Sequence, residues 1–264
     1  MTVIRDHPWF AITEPEGGIF VIEEPLHDER VKSFLIVGEQ RAVLLDTGMG
    51  VADIRTVVDA LTDVPIIVVN SHAHWDHIGS NHRFDTIWIH EAESGYLQAG
   101  VGNDVLRPWF GPEHLTGQLP DGVTAETITI PPSTPTALVT DGQVIELGGR
   151  ALEVLHCPGH SVGGIVLADH ANGALFSTDV AYAGALYVYG TDDLPVYARS
   201  LRRLATLVPG LRAVYPSHGD SPIPPAMLPR MADALDGIGA GREPSWTDAT
   251  RTGYDFDGFS VEVK

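Results

Sequence analysis

The chain of 264 residues is long enough to bury a large hydrophobic core, and this length is common for one α/β domain, so we expect a single domain over residues 1–264. Its 16 lysine and arginine residues stand against 35 aspartate and glutamate residues, and the formal charge of −19 disfavours nucleic acid and anionic membranes as partners. The one cysteine, Cys157, excludes an internal disulfide, and no apolar stretch reaches the ~20 residues that span a bilayer. With no signal-peptide pattern in "MTVIRDHPWFAI", a cytoplasmic location is expected.

The first half of the sequence alternates strand and helix patterns. Short strands are predicted at "WFAIT", "GIFVIEE", "SFLIVG" and "RAVLLDTG". "VADIRTVVDALTDV" has apolar residues at helical spacing, and Pro65 then precedes the apolar strand "IIVVNS". A short helix beginning near Asp76, a strand at "TIWIH" and a helix at "EAESGYLQ" follow. The order of strand, helix and strand predicts parallel strands in one sheet.

Residues 99 to 140 differ from the sequence on either side, because they are rich in Gly, Pro and Thr and have only weak periodicity. We interpret them as a long surface excursion. Insertions of this length are usually lids, binding loops or linkers, and Trp109 and Phe110 favour a substrate-binding lid. The same apolar surface also suits the interface of a homodimer, and the sequence does not decide between the two.

The second half of the sequence again shows predicted strands followed by helices. Strands are predicted at "QVIEL", "ALEVLHC", "GGIVLAD" and "GALFSTD". A helix across "PVYARSLRRLATLV", a strand at "RAVYPSH" and a helix across "PAMLPRMADALDGI" come next, and "FSVEVK" is a candidate closing strand. The two halves therefore resemble similar sheet-and-helix units.

The segment "NSHAHWDHIGS" places four possible metal ligands within six positions after an apolar run. His72 and His74 alternate with residue 73 in an extended segment, so both imidazoles project the same way. Asp76 and His77 lie where the chain turns into a helix. Imidazole nitrogens and carboxylate oxygens suit Zn²⁺ and related divalent ions. A histidine-rich surface loop is the alternative, but this density of donors favours a turn that serves two neighbouring ions.

Three further donors follow apolar strands in the second half. These are His160 in "CPGHSVGG", Asp179 in "FSTD" and His218 in "YPSHGD". Loops at strand ends commonly carry the sites of α/β proteins, because the sheet holds the strands rigidly. The other histidines that we considered are interpreted as ordinary structural or surface residues: His82, His90, His156 and His170.

Together the ordered motifs "LLDTG", "SHAHWDHIGS", "CPGHSVGG", "FSTD" and "YPSHGD" resemble the metallo-β-lactamase superfamily, at least from Leu44 to His218. The resemblance implies an α/β fold of the αββα sandwich type, with two mixed β-sheets flanked by helices. It also implies two divalent metal ions. We expect zinc, although the same donors accept iron, manganese or cobalt.

The resemblance also assigns the ligands. One ion would be bound by His72, His74 and His160. The other would be bound by Asp76, His77 and His218, and Asp179 would bridge the two. Asp46 of "LLDTG" would support the ligands from behind, or act only as a turn residue.

Two such ions share a water and lower its pKa, which produces a hydroxide nucleophile, and Asp76 can orient that hydroxide. The predicted function is a dinuclear hydrolase that opens a small carboxylic ester, lactone or thioester. A β-lactamase is a weaker alternative, because Asp179 stands where one large group of β-lactamases has cysteine. His74 stands where the di-iron relatives that reduce oxygen or nitric oxide have glutamate, which counts against that activity. A non-catalytic sensor that binds a metal and a small ligand is the rival from another class.

Tyr182 lies three residues after Asp179, a spacing similar to that of acyl-homoserine lactonases, in which a tyrosine contacts the substrate carbonyl. We predict that its phenol is catalytic, with packing beside the metal loops as the alternative. Weaker candidates are Tyr187, Tyr189 and Trp75. The sequence has no evident basic cluster near its C-terminus for a glutathione carboxylate, which counts against a hydroxyacylglutathione thioesterase.

Overall fold

The computed structural model describes residues 2–264, with side chains from His7 onward. The chain divides into two compact units, each with its own sheets and core. The first comprises the residues up to Val139 together with Glu146–Arg150, and the second comprises Thr140–Ile145 together with Ala151–Lys264. The organisation as one domain over 1–264 stays a prediction.

One mixed sheet of eight strands forms the frame of the first unit, with the strands side by side in chain order. Their bounds are β1 (Thr2–Asp6), β2 (Ala11–Glu16), β3 (Ile19–Glu23), β4 (Lys32–Val37), β5 (Ala42–Leu45), β6 (Ile66–Val69), β7 (Ile87–His90) and β8 (Ala137–Val139). From β1 to β5 each strand is antiparallel to the next, and from β5 to β8 the pairing is parallel. The short strands predicted in the first half and the parallel strands after them are confirmed.

The helices of the first unit are short. They are α1 (Ile54–Val58), α2 (Trp75–Ile78), α3 (Ser94–Ala99) and α4 (Asn103–Leu106), with 3₁₀ turns at Asn81–Arg83, Glu91–Glu93 and Arg107–Phe110. The side chain of Asp53 caps α1 by accepting from the Arg55 amide. The helix is shorter than the periodicity predicts, because bonds of the tighter i to i+3 type close the chain after Val58.

The segment at residues 99 to 140 is tied into the core of the first unit. Val101 and Ile130 form a backbone bridge, and the apolar side chains of Leu106, Phe110 and Ile128 are buried with that of Ile130. Most other residues of the segment are exposed or half-buried, so it lies at the surface as predicted, and these buried apolar side chains anchor it to the core. Its role as a substrate-binding lid stays a prediction.

The second unit contains two sheets. Its strands are β9 (Val144–Glu146), β10 (Ala151–His156), β11 (Ile165–Asp169), β12 (Ala174–Thr178), β13 (Ala185–Val188), β14 (Ala213–Pro216), β15 (Trp246–Thr247), β16 (Thr252–Phe256) and β17 (Phe259–Val263). One sheet has the order β14-β12-β11-β10-β9, with β12 and β14 parallel. The other has the order β13-β17-β16-β15. The predicted closing strand is thus present as β17.

Two longer helices, α5 (Leu194–Ala205) and α6 (Met227–Gly239), complete the second unit at the predicted places. Their apolar faces enter one core that includes Leu201, Leu204 and Leu235. On the exposed side, Arg202 bonds to Asp236 of α6 at 2.6 Å. In residues 2–264 none of the helices combines the length and the hydropathy that crossing a bilayer requires.

Candidate metal centre

In the first unit the candidate ligands follow the ends of two neighbouring parallel strands. β5 leads into Asp46, and β6 leads through Asn70 and Ser71 to His72. The amide of Asp46 donates to the carbonyl of Val69 at 3.0 Å, which extends the pairing of the two strands by one bond. Asp46 has a φ of +64°, a left-handed conformation that aspartate tolerates better than most residues. The parallel register therefore brings both loops to one sheet edge.

A buried network sets the tautomer of two candidate ligands. Asp46 accepts from the Ser71 amide and hydroxyl, both at 2.7 Å, and from Nδ1 of His77 at 2.9 Å. Because the Ser71 proton points to Asp46, Nδ1 of His72 donates to Ser71 Oγ at 2.9 Å. In both rings the lone pair then belongs to Nε2, and carboxylate support of this kind raises the basicity of a ligating imidazole.

The four donors of this loop lie close together. The His72 ring centroid is 4.5 Å from that of His74 and 4.2 Å from that of His77. Asp76 Oδ2 lies 3.4 Å from His77 Nε2. His72, Asp76 and His77 are buried, while His74 is half-buried. Imidazoles clustered beside a buried carboxylate have the chemistry of a ligand set for a divalent cation.

Two buried glutamates bind backbone amides of the loops that follow β6 and β5, and sequence reasoning missed both. Glu93 accepts from the amide of Ala73, which lies between the first two histidines, at 3.2 Å. Glu24 accepts from the Met49 amide at 2.7 Å and from the Trp9 indole, and burial raises the pKa of Glu24 to about 7. A side chain at Gly48 would meet Glu24, since a Cβ there would lie 2.1 Å from its Oε1.

The second unit brings together the other three candidate ligands. Asp179 follows β12 and His218 follows the parallel neighbour β14, so both lie at one sheet edge. Asp179 Oδ2 is 3.5 Å from His160 Nε2 and 3.3 Å from His218 Nε2. All three side chains are buried. A carboxylate between two imidazoles is an arrangement that can share a metal ion with each of them.

Tyr197 of α5 holds the backbone of this second group. Its hydroxyl donates to the carbonyl oxygens of Asp179 and Val180, at 3.2 and 2.9 Å. The side chain is fully buried, and burial raises the pKa of its phenol well above the ordinary value. The phenol is therefore a fixed donor. The apolar periodicity of α5 explains its burial, but no sequence signal pointed to its bonds.

Tyr182, the predicted catalytic phenol, is buried near one of these ligands. Its ring centroid is 5.7 Å from that of His218, and its hydroxyl donates to the carbonyl of Ala185. Tyr189 has its ring 6.2 Å from that of His160, and Tyr187 lies under the guanidinium of Arg251. The catalytic role of Tyr182 stays a prediction.

His156 and His170 contact nearby residues of the second unit, and Cys157 is buried there. His156 Nε2 lies 3.1 Å from the carbonyl of Val162, and His170 Nε2 lies 2.5 Å from Glu153. Cys157 is buried, and burial raises the pKa of its thiol to about 12, so the thiol is not a nucleophile at neutral pH.

Comparisons with known proteins agree with this architecture. Residues 28–218 match the family model of the metallo-β-lactamase superfamily. The chain is 34% identical over 228 residues to the acyl-coenzyme A thioesterase MBLAC2 of Gallus gallus, covering 80% of both chains. It is 32% identical over 231 residues to the Homo sapiens protein of that name, covering 80% of this chain and 81% of the other.

A solved structure supports the fold. A metallo-β-lactamase from Pontibacter korlensis superposes with a TM-score of 0.62 at 17% identity, covering 86% of this chain and 99% of the other. The predicted α/β fold with mixed sheets flanked by helices is thus confirmed. The prediction of a hydrolase is confirmed as well, since the relatives are hydrolases of the same family. On the matched residues and the relatives that share four fifths of its length, the chain belongs to the metallo-β-lactamase superfamily.

Proposed function

We propose that the chain is a metal-dependent thioesterase that hydrolyses acyl thioesters of coenzyme A. The observation that carries the proposal is the 34% identity, over 80% of the chain, to a relative named as an acyl-coenzyme A thioesterase. The donors predicted from the motifs supply the hydrolytic chemistry that such an activity requires. Among the ester, lactone and thioester substrates that the motifs allow, the thioester is therefore favoured.

We propose that the two groups of ligands together hold two divalent ions. One ion is assigned to His72, His74 and His160, the other to Asp76, His77 and His218, and Asp179 is the shared ligand. The donor chemistry supports this assignment, because the lone pairs of His72 and His77 belong to Nε2 and Asp179 Oδ2 lies near two imidazoles. Zinc is the proposed metal, and iron, manganese or cobalt would suit the same nitrogen and oxygen donors. When bound, two such ions activate a shared water and polarise a carbonyl.

Other residues of the chain orient the proposed ligands and the attacking water. Asp46 and Ser71 fix the ring orientation and tautomer of two ligands, which leaves Nε2 of both rings available to a metal ion. Asp76 is the proposed residue that orients the attacking water through its carboxylate. A thiolate leaving group has a pKa near that of cysteine, about 8.5, so it departs with little help from a proton donor. A thioester therefore makes modest demands on general acid catalysis.

A hydrolase of oxygen esters and lactones is the second candidate, and Tyr182 favours it. Its ring lies 5.7 Å from that of His218 between centroids, so its phenol is close to a proposed ligand. An alkoxide is a far poorer leaving group than a thiolate and gains more from a proton donor. For this role the Tyr182 hydroxyl would exchange its bond to Ala185 for one to the substrate.

The composition favours a small-molecule substrate. The charge of −19 disfavours nucleic acid and anionic membranes as partners, and the single buried cysteine is compatible with the reducing cytoplasm.

Hydrolysis of acetyl- and octanoyl-coenzyme A by the purified protein, with free thiol followed by a colorimetric reagent, tests the proposal. We expect turnover that a chelator removes and that added Zn²⁺ restores, with about two metal ions per chain by elemental analysis. Asp179→Ala should lose metal and activity, whereas Asp257→Ala, at a residue whose side chain is 99% exposed, should keep both. A metal-loaded protein that cleaves lactones or β-lactams but no thioester would show the proposal to be wrong.

A further inference from the structure

An aromatic cluster joins helix α2 to the segment at residues 99 to 140 within the first unit. The Trp75 ring lies 5.7 Å from that of Trp109 at 32° and 5.7 Å from that of Phe110 at 70°. His27 lies 6.0 Å from Trp75 and 5.2 Å from Phe110 between ring centroids. Contacts at these spacings are typical of aromatic packing, so the four rings act as one packed group.

His27 fixes the backbone of Trp109. Its Nδ1 accepts from the amide of Glu29 at 3.1 Å, so in the neutral ring Nε2 carries the proton and donates to the Trp109 carbonyl at 2.8 Å. His27 is completely buried, and Phe110 is 2% exposed. The main chain at Trp109 is therefore held from within the core.

The Trp109 side chain is nevertheless 37% exposed. The main chain of Trp109 is held and its ring packs against Trp75, yet the ring keeps an exposed face, and aromatic faces of this kind often contact ligands. Trp75 is only half-buried and stands in the chain between His74 and Asp76, two of the proposed ligands. An apolar surface thus begins beside the proposed metal centre.

We propose that Trp75 and Trp109 form the binding surface for the acyl chain of the substrate and set its preferred length. This inference rests on the proposed thioesterase function. The acyl chain is the apolar part of an acyl-coenzyme A, and it leaves the carbonyl directly. It therefore fits an aromatic surface that starts next to the reacting group.

The charge of the segment favours the acyl chain over the nucleotide part of coenzyme A. Residues 99 to 140 contain one arginine, Arg107, and four acidic residues, Asp104, Glu113, Asp121 and Glu126. This excess of negative charge repels the phosphates of the coenzyme. A neutral alkyl chain meets no such repulsion.

The test measures kcat/KM on octanoyl- and acetyl-coenzyme A and takes the ratio of the two, which cancels any loss of active protein. Trp109→Ala should lower the ratio by about tenfold, the effect of removing a few apolar contacts in a binding site. Trp109→Phe, which keeps an aromatic ring, should keep most of the ratio. Trp246→Ala is the matched control, because Trp246 is also 37% exposed but lies on β15 of the second unit. It should leave the ratio unchanged.

The same ratio is measured on octanoyl and acetyl thioesters of N-acetylcysteamine, which lack the nucleotide. It shows whether Trp109 contacts the acyl chain or the nucleotide part of coenzyme A. The ratio should fall in Trp109→Ala with these nucleotide-free thioesters as it does with the coenzyme A substrates. If both acetyl and octanoyl substrates lose activity equally with coenzyme A and neither does with N-acetylcysteamine, Trp109 binds the nucleotide and the inference is wrong. An unchanged ratio in Trp109→Ala also overturns it while the thioesterase proposal stands. No hydrolysis of any thioester by the wild type overturns both.

Discussion

Oδ2 of Asp46 accepts a hydrogen bond from Nδ1 of His77 at 2.9 Å, and both side chains are completely buried. The same carboxylate holds Ser71, whose hydroxyl accepts from His72. One aspartate therefore orients two imidazoles assigned to different metal ions. Carboxylates in such positions fix the tautomer and raise the basicity of the ligand, and their loss usually weakens metal binding.

Asp46→Asn should lower the affinity for divalent metal by about 10- to 100-fold, because the amide removes the negative charge behind both rings. Asparagine tolerates the left-handed φ of +64° at this position, so the backbone should be preserved. Competition with a chelating dye measures the affinity. Asp59→Asn is the control, since Asp59 is an exposed partner of Arg55 on the surface. Equal affinities for the Asp46 variant and the control would show that the carboxylate has only a local structural role.

The metal ligands could be predicted from the sequence because they follow apolar strands at short spacing. A strand end positions its loop with little freedom, so "SHAHWDH" after β6 and Asp179 directly after β12 indicated donors before any tertiary contact was known. The parallel strands were predictable for the same reason, since an apolar strand, a helix and another apolar strand have few possible arrangements.

The supporting residues could not be predicted, because their roles depend on contacts far apart in sequence. Glu24 lies 25 residues before the amide of Met49 that it binds, and Tyr197 lies 18 residues after Asp179. Nothing in the neighbouring residues of either marks it as a partner. The buried residues of the segment at 99 to 140 were hidden similarly, because Val101 pairs with Ile130 across a loop that has no periodic pattern.

Asp179→Ala should lose at least one metal ion per chain, and its kcat should fall by about a thousandfold or more. The reason is that loss of a shared ligand removes the negative charge that both ions require. In the second unit its Oδ2 lies between the imidazoles of His160 and His218. Elemental analysis and the thiol-release assay report the two effects. Asp179→Asn should bind metal more weakly than the wild type but more strongly than the alanine variant. Full metal content in the alanine variant would contradict the assignment of Asp179 as the shared ligand.

Glu24 should make the stability of the metal-free protein depend on pH. Burial raises the pKa of its carboxyl from 4.5 to about 7 in the folded state. The folded state thus keeps a proton that the unfolded chain loses between these two values, so the free energy of unfolding falls as pH rises through this window and is level above it. A shift of this size corresponds to about 3 kcal/mol.

Glu24→Gln cannot ionise and should lack this dependence. Urea unfolding in the presence of a chelator, at several pH values between 4.5 and about 7, gives the difference in unfolding free energy between wild type and variant. As pH rises through this window, the wild type should lose about 3 kcal/mol of unfolding free energy relative to Glu24→Gln. Glu126→Gln, at an exposed glutamate, should follow the wild type at every pH. Parallel curves for wild type and Glu24→Gln would mean that Glu24 titrates in its ordinary range.

Tyr182→Phe should separate the two candidate substrates. If the phenol protonates the leaving group, the variant should lose about a hundredfold in kcat on an oxygen ester and less than about tenfold on the thioester with the same acyl group, because an alkoxide needs a proton far more than a thiolate does. An equal loss on both esters would instead indicate that the phenol stabilises the oxyanion, which forms in either reaction. Tyr215→Phe is a suitable control, since Tyr215 is a buried tyrosine of β14 that stacks on Phe176. If both variants leave both rates unchanged while metal content stays at the wild-type level, the bond from Tyr182 to the carbonyl of Ala185 describes its whole role, which is to pack beside His218.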